Sequence, residues 1–137
     1  MSAASNYTEN KVLDHALGTA SWTAPSTVYL GLFTNTSGNA ATNLEAGTLT
    51  DEVTTSGSAY GRQSISFGSA SGGSASNSGT VTFSAATSNW GTITHVAVMD
   101  ASTGGNVLFW GAVTTSKTIE SGDTFQVSSG NLSISLA

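Results

Sequence analysis

Ile93–Asp100 (ITHVAVMD) and Val107–Val113 (VLFWGAV), joined by Ala101–Asn106 (ASTGGN), are the stretch on which the reading of this chain turns. Both flanks are rich in β-branched and aromatic residues, as strands are. The linker holds Gly104, Gly105 and Asn106, which tolerate the positive φ of a tight reversal, so the flanks pair antiparallel as one hairpin. Strict alternation puts Val96 and Val98 on one face and Ile93, Ala97 and Met99 on the other. On the return strand Phe109 opposes Leu108 and Trp110. With apolar groups on both faces the hairpin is a central pair, and the rest of the chain must cover it.

The chain has 137 residues, enough for a single domain with one real core, so residues 1–137 are read as one domain. Only 8% of residues are charged, three basic against eight acidic, which gives no electrostatic footprint for nucleic acid. The absence of cysteine removes disulfides, thiolate metal sites and Cys nucleophiles. No apolar run approaches the roughly 20 residues of a membrane-spanning helix, and the first ten residues lack the pattern of a signal peptide, so a soluble chain without a membrane partner is expected. The surface that remains is made of neutral hydroxyls and amides, suited to close packing among copies.

Working outward from the hairpin, the amino-terminal side offers a helix over about residues 6–17. Asn6 caps it, Glu9 completes a capping box, and Val12, Leu13, Ala16 and Leu17 form one apolar stripe before Gly18. A helix this short needs that stripe docked on the sheet or on a neighbouring subunit. Thr27–Thr34 (TVYLGLFT) reads as a second buried strand and Tyr60–Phe67 (YGRQSISF) as a half-exposed one. Between them, residues 35–59 show little apolar periodicity and are expected to be a long loop ordered by a partner. Residues 68–79, rich in Ser and Gly, read as a wide hairpin loop before a short strand at Thr80–Phe83. Gly122 and Asp123 turn between Thr118–Ile119 and Thr124–Val127, and Leu132, Ile134 and Leu136 alternate with serines in a last strand. The expected fold is mainly β: an antiparallel β-sandwich or flattened barrel of about seven or eight strands with one short amino-terminal helix.

Catalytic chemistry finds little purchase. The two histidines, His15 and His95, have no G-x-S-x-G elbow to work with, and His95 reads better as a hydrogen-bonded ring at a sheet surface. Asp100 and Asp123 are the pair on turns that paired-carboxylate hydrolysis would use, yet each reads more simply as an Asp bonding the backbone of its own turn. Gly104 and Gly105 lack the Lys and Ser or Thr of a phosphate loop. Asp51, Glu52 and Asp123 offer oxygen ligands without EF-hand spacing, so no metal and no cofactor is assigned. Trp22, Trp90 and Trp110 could stack on sugar, although packing is the commoner use of such rings near a central hairpin. The residues assigned to partner contact are Glu45, Asp51 and Glu52, in the long polar segment, and Trp22.

The order of these pieces carries a resemblance. A helix ending LDHALGT (Leu13–Thr19), then TVYLGLFT, then YGRQSISF, then the Trp90–Leu108 element WGTITHVAVMDASTGGNVL, then SGDTF (Ser121–Phe125) and an alternating terminal strand, resembles small tail-fibre-like virion structural proteins of tailed bacteriophages, over Tyr7–Leu136. The resemblance implies a mainly β virion component without catalysis. Because coiled-coil heptads and shaft repeats are lacking, the position expected within the virion is the capsid surface, as a decoration or cement protein contacting the major capsid protein. The alternative is a tail-fibre or tail-tip module meeting host glycan. Sparse charge and two apolar faces lead us to expect a homotrimer.

Overall fold

The computed structural model describes residues 3–136. Its elements are β1 (Ala3–Ala4), α1 (Asn6–Ala16), β2 (Val28–Phe33), α2 (Ala40–Ala46), β3 (Gln63–Ile65), β4 (Ser74–Ser76), β5 (Val81–Thr82), β6 (Gly91–Met99), β7 (Val107–Ile119), β8 (Gln126–Val127) and β9 (Ser133–Ser135). The predicted hairpin is the centre. β6 and β7 pair antiparallel inside a five-stranded sheet of order β1-β7-β6-β2-β3, and β4–β9 and β5–β8 form two small antiparallel sheets. The fold is mainly β, antiparallel and sandwich-like, as expected, and does not close into a barrel.

Two irregularities in the β6–β7 register alter the predicted faces. Ile93 pairs with Lys117 but His95 with Ala112, and Val98 pairs with Phe109 but Met99 with Val107. β7 carries three extra residues at the first slip and one at the second, and such bulges break the two-residue alternation. Ile93 therefore joins Val96, Leu30, Leu32, Trp90 and Phe125 in the larger core, not Ala97 and Met99. On the opposite face, Val107 and Trp110 share one cluster with Phe33, Leu44, Ala97 and Met99. The larger core is closed by an aromatic group in which Tyr60 stacks on Phe83 at 6.2 Å and meets Trp90 edge-on at 5.5 Å.

Four further expectations are corrected. Segment 35–59 contains α2, which lays Ala40 and Leu44, both 1% exposed, on the second face of the sheet. Only two apolar side chains spaced i, i+4 mark it, and Gly47 in the left-handed conformation ends it, so the helix has almost no periodic signal in an otherwise polar stretch. The strand after the Gly122–Asp123 turn pairs with β5 and not with the strand before it, because β7 runs on to Ile119 beside β6. Residues 68–79 include β4, which is paired with β9 across Ala75 and Ile134. At the amino terminus, Ser5 is the helix cap in place of Asn6: its Oγ accepts from Thr8 N at 3.3 Å and donates to the Val107 carbonyl. That bond and the pairing of Ala3 with Trp110 anchor the chain start on β7.

Candidate functional site

Arg62 occupies the tightest polar site. Its side chain is 2% exposed, and Glu52, 17% exposed, meets it in a two-pronged pair, with Nε 2.7 Å from Oε2 and Nη2 3.1 Å from Oε1. Nη1 donates to the carbonyls of Ala101 (2.7 Å) and Gly104 (2.8 Å). One guanidinium thus ties the segment before β3 to the tip of the central hairpin, using the planar fork that only Arg has. The tip is braced again by Asp100, which accepts from Asn106 N (2.7 Å) and Asn106 Nδ2 (2.8 Å). Gly105 is required here: it sits at φ 72°, and a Cβ would come within 2.5 Å of Asp100 Oδ1. Gly31 makes room for the other end of the site, since a Cβ there would lie 3.2 Å from Glu52 Oε2. Tyr60 Oη, beside it, accepts from Leu32 N at 3.0 Å. Burial, reinforced by the Glu52 charge, raises the pKa of that phenol and keeps it neutral.

The residues assigned to partner contact lie apart from one another in role. Asp51 is buried, and accepts from Ser37 N (2.9 Å) and Ser37 Oγ (2.5 Å). The Ser37 hydroxyl bond holds its pKa below the ordinary carboxylate value. Glu52 is the partner of Arg62. Glu45, on α2, accepts from Trp110 Nε1 at 2.7 Å. Each of these three acids satisfies a donor of the chain itself: Asp51 a turn residue, Glu52 the buried Arg62, and Glu45 a sheet residue. Asp100 and Asp123 bond their own turns, as read from the sequence; Asp123 Oδ2 accepts from Glu120 N at 2.9 Å. Among the described residues no group of three or more acids and histidines gathers as a metal site. His95 Nδ1 lies 2.8 Å from Thr94 Oγ1, with its ring 6.2 Å from that of Trp110, and burial lowers its pKa. His15 Nδ1 accepts from Trp22 N at 3.1 Å.

Trp22 differs from the other tryptophans. Trp90 is buried and donates from Nε1 to the Ser58 carbonyl at 2.8 Å. Trp22 is half-exposed, meets Tyr7 edge-on at 6.4 Å, and lines an apolar hollow of about 350 Å³ with Val28, Phe67, Phe109 and Leu136. A second hollow of about 310 Å³, lined by Val96, Val113, Phe125 and Leu132, shares Val98, Phe109 and Ile134 with the first. Among the described residues no charged side chain lines either. Nearby on the chain, α1 leaves its apolar stripe open: Leu13 is 56% and Leu17 74% exposed, and Thr8 is its buried residue. What this geometry offers is apolar contact surface.

Residues 3–135 match the family model described as podophage GP4 fiber I protein gp80. The chain belongs to that family. As a fibre I family member it is a bacteriophage virion structural protein of tail-fibre type, in line with the resemblance carried by the order of its sequence words. No curated protein matches it. The words that carried the resemblance converge in space: YGR supplies Arg62, and DASTGG supplies the Asp100 brace and the carbonyls that Arg62 holds. Sequence reasoning missed Arg62 because its partners are distant along the chain; a lone Arg in a chain with three basic residues was the available signal.

Proposed function

We propose that the chain is a non-enzymatic building block of the tail-fibre apparatus of a tailed phage. The observation that carries this reading is the family match over residues 3–135 to a fibre protein. It favours the tail over the capsid surface preferred from sequence alone, where the absence of heptads and shaft repeats was taken against a fibre. A compact β module need not be a shaft; it serves a fibre equally as a base, joint or tip. The polar residues support a structural role as well, since Arg62, Glu52, Asp51, Glu45 and Asp100 are spent on holding loops to the sheet and none points into an open cleft with a base beside a nucleophile. Trp22, packed on Tyr7, contributes to an apolar contact surface better than to a free sugar platform. Labelling the protein on intact virions and counting its copies by imaging tests the proposal. Signal on tails in fibre stoichiometry is expected, and signal spread over heads in lattice stoichiometry overturns it in favour of capsid decoration.

A further inference from the structure

Trp110 borders a hollow of a different kind from the two already described. The pairing of Ala3 with Trp110 and the bond from Ser5 to Val107 carry the start of α1 to the indole, so Asn6, the first residue of that helix, stands beside it. α2 turns Ala40 and Leu44 inward and presents Ala41, Thr42, Glu45 and Ala46, on its other side, to the same space. The result is an open hollow of about 400 Å³, within the range of small-ligand sites. The half-buried Trp110 ring is fixed there by the bond that Nε1 donates to Glu45 Oε2 at 2.7 Å, and the two alanines keep the space beside the ring clear. The polar side chains around the ring are unspent. Among the described residues nothing bonds Glu45 Oε1, the Asn6 amide or the Thr42 hydroxyl.

We infer that this hollow binds a neutral sugar, stacked on the Trp110 indole. A pyranose has a face of C–H groups and a rim of hydroxyls. The hollow offers the matching parts: a flat apolar ring and, at its margin, a carboxylate acceptor, a hydroxyl, and an amide that both donates and accepts. An alkyl chain would leave those three polar groups idle, and a polar ligand with no apolar face would leave the ring idle. Charge narrows the class further. Among the described residues no basic side chain lines the hollow, and Glu45 stands in it, in a chain of net charge -5, so an acidic sugar is repelled. A cation would use Glu45 and the ring but not Asn6 or Thr42. The other tryptophans lack this combination, since Trp90 is 5% exposed and Trp22 lines an apolar hollow. Because Glu45 holds the indole in place before a ligand arrives, binding requires little ordering of the ring. The inference does not depend on where in the virion the chain sits.

Titrating the intact, nitrogen-15-labelled protein with the methyl glycosides of glucose, galactose, mannose and N-acetylglucosamine tests this, read by NMR at the indole N–H signals of the three tryptophans. The Trp110 signal, assigned by its loss in Trp110→Phe, should move and saturate with at least one sugar. A Kd on the order of 1 mM is expected for a single small ligand of this size. Asn6→Ala and Thr42→Val change exposed positions, so the unfolding midpoint should stay in place while each weakens binding about 3–10-fold, the worth of one hydrogen bond. Glu45→Gln keeps an acceptor for Trp110 and should retain sugar binding. No response to any of the four sugars, or a response confined to Trp22 or Trp90, overturns the inference. So does undiminished affinity in both Asn6→Ala and Thr42→Val. Choline chloride is the control for a cation site: a Trp110 shift with choline that Glu45→Gln abolishes, and none with the sugars, overturns the sugar assignment.

Discussion

α2 has seven residues and α1 eleven, yet α2 sets Ala40 and Leu44 into the sheet at 1% exposure while α1 buries Thr8 and leaves Leu13, and Leu17 at its C-cap, outside. The difference lies in what each helix is tied to. α2 is flanked by polar residues that all find partners inside the chain: Asn35 Oδ1 accepts from Ala40 N (2.9 Å), Ser37 from Asn39 N (3.1 Å), and Glu45 from Trp110. Those bonds let a polar segment lie against the core, because buried polar groups cost little once they are satisfied. α1 is held at its start, by Ser5 and β1, and residues 13–17 at its other end are exposed. Polarity alone does not say which segment faces a partner; the hydrogen-bond inventory does.

Glu52→Ala is the harshest challenge to the view that segment 35–59 is internal structure. It strands the Arg62 guanidinium in a nearly dry site, and should lower stability by about 3–5 kcal/mol, read from the midpoint of denaturant unfolding. A loss under about 1 kcal/mol, the range of an exposed pair, would return the segment to the surface. Next in size comes the helix pair itself. Leu44→Ala should cost about 2–5 kcal/mol, as truncation of a buried leucine does, whereas Leu17→Ala, assayed where the chain is monomeric, should stay within about 0.5 kcal/mol. Equal losses at the two sites would erase the contrast between the helices.

The smallest effect is a dependence on pH at His95, which pairs with Phe33 on β2 and feels the charge of Asp51. His95 has its pKa lowered from the ordinary 6.5, chiefly by burial, against an opposing pull from Asp51. The unfolded chain then binds a proton that the folded chain refuses, so the stability associated with His95 is complete above pH 6.5 and is lost as pH falls through the lowered value. Asp51 has its pKa lowered from 3.8, so its share is complete above 3.8 and is lost in stronger acid. His95→Gln should flatten the upper part of the stability–pH curve and leave the acid limb in place; an unchanged upper part would mean that His95 is solvated in the fold.

The central hairpin, β2 and the alternating last strand were legible because apolar β-branched residues and turn formers state them locally. α1 was legible from its stripe, to within one residue at its end. The fate of that stripe was not, since a sequence shows that a face is apolar and not what covers it. α2 escaped notice because two apolar positions are too few for a period. The face of β6 was misjudged at Ile93, beside which the pairing slips by more than alternation allows. Of the polar site, the Asp100 brace was readable as a short-range bond, while the Arg62 clamp was not, its hairpin acceptors lying 39 and 42 residues away.

Ser5 reaches Val107 across 102 positions of chain. During synthesis the segment carrying β1 and α1 is therefore made long before the strand that anchors it, and contacts so far apart in sequence form late and slow folding. Until β7 is in place the arm has no docking edge, and α1, too short to hold a helix by itself, stays only partly formed. Ordering of the amino-terminal arm thus marks the completion of the sheet, and hydrogen exchange at Thr8 and Glu9 should become slow only after the central hairpin is protected.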